Sequence, residues 1–92
     1  MKEYRANNSI AENTAAVDDE DYTFSANLDL TLPPNPIEGQ YIDISNMSGT
    51  LTCRVLRNGL NIAGLAEDLT VDILNWGFTL KYSNAAKGWI IL

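Results

Sequence analysis

From Tyr22 onward, apolar and polar residues alternate with a period of two, the spacing of a strand that buries one face. Tyr22 and Phe24 alternate with Thr23 and Ser25, and Leu28, Leu30 and Leu32 share a face opposite Asp29 and Thr31. Pro33-Pro34-Asn35-Pro36 ends that run, because neither a helix interior nor a central strand tolerates it. Glu38-Gly39 is a turn signal leading into residues 41–45, with Ile42 and Ile44 inward around Asp43. After Met47-Ser48-Gly49, the residues Leu51, Cys53 and Val55 line one face while Thr52 and Arg54 point away. Asn58-Gly59 is the strongest hairpin signal in the chain, since both residues accept positive φ. A short strand over 60–62 follows and Gly64 breaks it. Leu69, Val71 and Ile73 alternate with Thr70 and Asp72, and Asn75-Trp76-Gly77 turns into Phe78, Leu80 and Tyr82. A polar loop over 83–88 precedes Trp89-Ile90-Ile91-Leu92. Seven to eight short strands joined by turn chemistry predict an all-β fold, a compact antiparallel β-sandwich or barrel.

The ends of the chain depart from this alternation. Over residues 1–21, Tyr4, Ile10 and Val17 are too sparse for a periodic face, and six acids oppose Lys2 and Arg5, so the segment carries −4 of the net −6. The alanines between Ile10 and Val17 allow a turn or two of helix, which is marginal in water on its own. Composition therefore predicts an acidic N-terminal arm over 1–21, extended or disordered until bound, ahead of a β domain over 22–92. Asp18, Asp19, Glu20 and Asp21 are contiguous, whereas a calcium loop spaces its ligands on alternate positions, so they are read as a solvated hinge. At the other end, Trp89-Ile90-Ile91-Leu92 is apolar on both faces of a strand, and such strands are usually covered on both. A domain this small has little room for that, so Ile90 and Leu92 are expected to contact another subunit.

The chain has 92 residues, enough for one small domain. Chains of this size hide only about 60–65% of their unfolded surface, so support from an assembly is useful. Six basic residues against twelve acidic ones repel phosphate backbones and anionic bilayers, which argues against nucleic-acid and membrane partners. There is no histidine, which removes the commonest general base, the Ser–His and Cys–His pairs and the best transition-metal ligand. Cys53 is the only cysteine, so no intramolecular disulfide is available and a small buried side chain is expected. Residues 1–17 lack the apolar core of a signal peptide, and no run approaches the ~20 apolar residues that span a bilayer. Cytoplasmic synthesis without secretory export is expected.

Candidate chemistry is thin. Asp29, Asp43, Asp72 and Lys81 sit at outward strand positions, but their spacing supports no acid–base pair, and exposed strand acids commonly guard solubility and edges. Gly59, Gly64 and Gly77 form no phosphate-cradling loop. Only calcium or magnesium with oxygen ligands remains as metal chemistry, and no motif supports it. No catalytic residue, cofactor or metal is therefore expected, and the chain is read as a non-enzyme. Trp76, Tyr82 and Trp89 with Asn58, Asn61, Asn75 and Asn84 could form a carbohydrate-binding surface, although core packing is the simpler use of the rings.

Several stretches together resemble a small β module of tailed-phage virion proteins. Tyr22-Thr23, then Leu28-Asp29-Leu30-Thr31-Leu32-Pro33-Pro34-Asn35-Pro36 and Glu38-Gly39-Gln40, are similar to its alternating strand, Leu-Pro turn and restart. Asn58-Gly59, Asn61-Ile62 and Gly64 followed by Glu67-Asp68-Leu69-Thr70-Val71 resemble its central stretch, with Ala63 where the module tends to have asparagine. Phe78-Thr79-Leu80, Tyr82 and Gly88-Trp89-Ile90-Ile91 resemble its closing strands. The resemblance covers residues 22–92 and implies a structural role, usually as a homotrimer. For a chain this small, it implies a capsid decoration (cement) protein on the capsid surface of a virion, made in the host cytoplasm and bound to the major capsid protein. On that reading the arm clamps the capsid, and Tyr4, Arg5, Ile10 and Val17 are the expected capsid contacts. The alternative is a tail-fibre or tail-tip component that recognises a host-surface glycan through Ala26-Asn27 or residues 83–87.

Overall fold

A computed structural model of the chain describes residues 7–17 and 20–92. Among these residues there are nine strands and no helix. They are β1 (Asn7–Ile10), β2 (Thr14–Ala15), β3 (Asp21–Phe24), β4 (Asp29–Thr31), β5 (Tyr41–Asn46), β6 (Cys53–Leu56), β7 (Leu69–Val71), β8 (Trp76–Asn84) and β9 (Gly88–Ile91). The protein is all-β. Its strands form a five-stranded sheet in the order β1-β3-β5-β8-β9 and a four-stranded sheet in the order β2-β4-β6-β7, and neither closes into a barrel.

The first six strands alternate between the two sheets, and every pairing among them is parallel. The chain thus winds as a coil whose successive turns are β1–β2, β3–β4 and β5–β6. Antiparallel pairing, expected throughout, is confined to the last three strands: β7 on β6, β8 on β5 and β9 on β8. The physical reason lies in the connections. A strand that turns back by a hairpin becomes antiparallel to its neighbour, whereas one that crosses to the other sheet and returns runs parallel to it. Alternation of side chains marks the buried face and is indifferent to that choice.

Register sets the core. Tyr22, Ile44 and Phe78 align across β3, β5 and β8, Ile42 aligns with Leu80, and Tyr82 aligns with Trp89. In the other sheet Leu30 aligns with Val55, and Cys53 with Val71. Buried side chains from both sheets join one core, including Phe24, Ile42, Ile44, Leu80 and Trp89 from the first and Leu30, Cys53, Val55 and Val71 from the second. Full burial of a large aliphatic or Phe side chain contributes about 1.5–3 kcal/mol.

Residues 7–17 fall within the segment that composition reads as an arm, and they supply β1 and β2. Their order comes from the backbone, which composition does not register. β1 pairs along β3, placing Ile10 beside Phe24, and Ala16 N–H donates to the Thr31 carbonyl at 2.7 Å. Asn8 Nδ2 donates to Glu20 Oε1 and to the Asp21 carbonyl, both at 3.1 Å, and Asp29 N–H donates to Asn13 Oδ1 at 2.9 Å. Tyr4, Arg5, Asp18 and Asp19 lie outside the described residues.

Two further features depart from the expectation. Asn58 and Gly59 have the anticipated positive φ, 51° and 84°, but no strand follows at 60–62. Ile62 makes only isolated bridges to Leu65 and Trp89, and β6 pairs instead with β7. In addition, Asn46 occupies the inward register of β5 and is fully buried. Its Nδ2 donates to the carbonyls of Thr50 and Ile73 at 3.0 and 3.1 Å. Its Oδ1 accepts from Ser48 N–H at 3.2 Å and from Ser48 Oγ at 2.6 Å. This knot ties β5 to the turns on either side, and Cys53 Sγ joins it through Ser48 Oγ at 3.3 Å.

Candidate functional site

The outer face of the five-stranded sheet follows directly from the register of its core. Residues between the inward rows point outward: Tyr41 and Asp43 of β5, Thr79 and Lys81 of β8, and Ile90 of β9. Tyr41, Lys81 and Ile90 form one row across the three strands. Asp43 pairs with Thr79, whose hydroxyl donates to Asp43 Oδ1. Leu92 N–H donates to the Thr79 carbonyl at 2.9 Å, which sets Leu92 beside that row. Gly39, Tyr41, Asp43, Thr79, Lys81 and Leu92 line a shallow hollow of about 370 Å³. Tyr41 is 40% exposed and Leu92 67% exposed.

The structure thus brings Ile90 and Leu92, the expected subunit contacts, to the same face of an edge strand. Trp89, on the inward parity of β9, is fully buried in the core, whereas Ile91 on the same parity is partly exposed beside Ile62 and Leu69. Tyr41 belongs to this surface and sequence reasoning did not single it out. The signal was present: Tyr41 is one residue before inward Ile42, and it is a large ring at an outward position.

A second surface lies at the opposite edge of the sheet. There β1, β2 and the chain around them surround a cleft of about 530 Å³, with Ile10, Val17 and Tyr22 among its lining and Asn8, Glu12 and Glu20 at its polar side. Of the expected capsid contacts, Ile10 is buried in the chain's own core because its register on β3 faces inward, while Val17 is exposed. Tyr4 and Arg5 are outside the described residues.

The carboxylates singled out as acid–base candidates are kept apart. Arg54 grips Asp29 with a two-point fork, Nε to Oδ1 at 3.0 Å and Nη2 to Oδ2 at 2.8 Å, on the outer side of the four-stranded sheet. That hydrogen bonding, with the charge of Asp29 second, raises the pKa of Arg54 above its ordinary value. Asp43 is on the outer side of the other sheet, with the shared core between them. Asp72 is exposed beyond the end of β7. Among the described residues, no group of three or more Cys, Asp or Glu side chains is arranged to hold a metal ion, and no helix is long and apolar enough to cross a membrane.

The rings and the amides of Asn58, Asn61 and Asn84 considered for a glycan are engaged within the chain. Trp89 meets Tyr82 edge to face at 5.5 Å, and Trp76 stacks on Phe78 at 4.6 Å. Asn58 Nδ2 donates to the Leu32 carbonyl at 2.9 Å and Asn61 Nδ2 to the Ala86 carbonyl at 3.0 Å. Asn84 Oδ1 accepts from Lys87 N–H, and Asn27 Oδ1 accepts from Thr52 Oγ1. No protein-family model matches the chain, and no curated protein matches its sequence.

Proposed function

We propose that the chain is a non-enzymatic structural protein of a phage virion, a capsid decoration (cement) protein that sits on the capsid surface as a homotrimer and binds the major capsid protein. The observation that supports the subunit contact is the outer-face row of Tyr41, Lys81 and Ile90 with Leu92 beside it, apolar apart from Lys81, whose methylene stem can lie along the neighbouring side chains. Its apolar side chains face away from a core that Trp89 already fills, and a subunit contact would remove them from water. Specific interfaces of ordinary size bury roughly 800 Å² on each partner, and a strip at a sheet edge can seed one. A trimer suits three-fold junctions of a shell, and several weak contacts engaged together give avidity. The acidic surface keeps densely displayed copies from associating through other faces.

In this reading the two sheets pack face to face as a sandwich, in keeping with a least extent of 20 Å and a sheet spacing of about 10 Å. The trimer contact lies at the β9 edge and the capsid contact at the β1 edge, so one subunit engages both at once. Copy number per virion tests the assignment. A decoration protein is present in hundreds of copies, whereas a handful of trimers would overturn it in favour of a tail component.

A further inference from the structure

A closed ring of three subunits has a geometric requirement. Each copy meets one neighbour with one surface and the other neighbour with a different surface, because a cyclic trimer contact is heterologous. The outer-face row of Tyr41, Lys81 and Ile90, with Leu92 beside it, is one such surface. Its complement has to lie elsewhere on the same chain.

A second apolar surface lies around the same edge. β9 and β7 are terminal strands of the two sheets. Ile91 of β9, Leu69 of β7 and the loop residues Ile62 and Leu65 line a groove of about 200 Å³. A cavity of about 150 Å³ takes a benzene molecule, so the groove has room for an aliphatic side chain. Leu65 is 56% exposed and Ile91 41%. Successive strand residues point to opposite faces, so Ile90 belongs to the row and Ile91 to the groove. The two surfaces therefore flank one edge, as the sides of a wedge whose tip points at a three-fold axis. At Trp89 that edge is closed to further backbone pairing: Trp89 N–H donates to the Asn61 carbonyl at 2.8 Å, and Ala63 N–H donates to the Trp89 carbonyl at 2.7 Å. Side chains have to make the contact.

Charge matches the two surfaces. The groove is lined by Glu67 and Asp68, both exposed, and by no Lys or Arg. Asp68 Oδ1 accepts from Arg57 N–H at 2.8 Å within the chain, and Glu67 supplies the other carboxylate. The hollow that Leu92 lines on the outer face carries the ammonium of Lys81. We propose that the groove of one subunit receives Leu92 of a second copy of the chain, with Lys81 of that copy set against Glu67. Leu92 supplies the apolar fit and the ion pair fixes its orientation. The inference rests on the trimer of the reading above and names the half of its subunit contact that the row leaves open.

The test is light scattering of the full chain over a dilution series at low salt, with circular dichroism on each sample. Leu65→Asp, at an exposed position in the groove, should give folded chains with the mass of one subunit. Glu67→Lys and Lys81→Glu should each dissociate at a concentration at least about tenfold above that of wild type, because each sets like charges against one another in all three contacts. The double reversal, Glu67→Lys with Lys81→Glu, should recover wild-type behaviour, which two independent surface changes would not do. A folded Leu65→Asp that keeps the trimer mass, single reversals that behave as wild type, or a double reversal that dissociates as readily as the singles would overturn the proposal. The underlying reading fails separately. A wild-type chain with the mass of one subunit at every concentration removes the trimer itself, whereas a trimer lost in Ile90→Asp and kept in folded Leu65→Asp removes this inference alone.

Discussion

Replacing Asn46 with leucine should destabilise the domain by about 2 kcal/mol. The side chain is fully buried, and leucine keeps its branched four-atom skeleton, so the perturbation chiefly removes hydrogen bonds. The Ile73 carbonyl and the Ser48 N–H lose their partner, and the Thr50 carbonyl keeps only a long 3.4 Å contact from Ser48 Oγ. The Ser48 hydroxyl keeps a contact, because Thr50 Oγ1 lies 2.9 Å away. Leaving a buried polar group unsatisfied costs about 1–3 kcal/mol, and these groups are only partly buried, so the lower end applies to each. Two such losses and the weakened Thr50 bond give about 3 kcal/mol, and the greater apolarity of leucine offsets about 1 kcal/mol. With a urea slope of about 1 kcal/mol/M for a chain this size, the unfolding midpoint should fall by about 2 M at fixed protein concentration. Ser48→Ala removes the hydroxyl's contacts with Asn46, Thr50 and Cys53 but leaves the Asn46 amide on the Thr50 and Ile73 carbonyls and on Ser48 N–H, and should lower the midpoint by less, about 1 M. A midpoint for Asn46→Leu within about 0.5 M of wild type would refute the reasoning, because the knot would then contribute nothing net.

Gly88→Ala should prevent stable folding, since φ is +68° and an added Cβ would lie 1.8 Å from the Asn61 carbonyl oxygen, a backbone atom that also accepts from Trp89; a thermal melt within a few degrees of wild type would contradict this. On the proposed trimer, Ile90→Asp should yield folded monomers, read by sedimentation velocity together with circular dichroism, because the position faces outward on β9. Cys53 is fully buried, so its thiol should react with Ellman's reagent only as fast as the protein opens, and rapid labelling in native buffer would contradict the packing around it.

Much of the strand pattern was legible because one face of each strand is buried. Ile42 and Ile44, Leu30 and Leu32, Cys53 and Val55, and Phe78 and Leu80 are all core residues, as their alternation implied. What alternation cannot report is the direction of a neighbour, so the parallel coil of β1 to β6 was not visible. β1 was also hidden, because Asn7, Asn8 and Ser9 earn their place through the ladder on β3 and the Asn8 amide, with Ile10 as the single inward apolar side chain. Leu51 and Ile73 fit their alternating runs but are exposed, since each lies beyond the end of its strand. Asn46 was readable in principle: it continues the inward parity of Ile42 and Ile44, and a polar residue there demands partners. The outer-face strip was half legible. The unbroken apolar run ending at Leu92 pointed to Ile90 and Leu92, whereas Tyr41 and Lys81 join them only through pairing between strands distant in sequence.

The most direct test of the proposed assembly is multi-angle light scattering of the purified full chain over a range of concentrations. The account predicts a mass three times the 10.1 kDa of one subunit, retained on dilution and lost in Ile90→Asp. A single-subunit mass at every concentration would contradict the trimer and the role assigned to the outer face of β9.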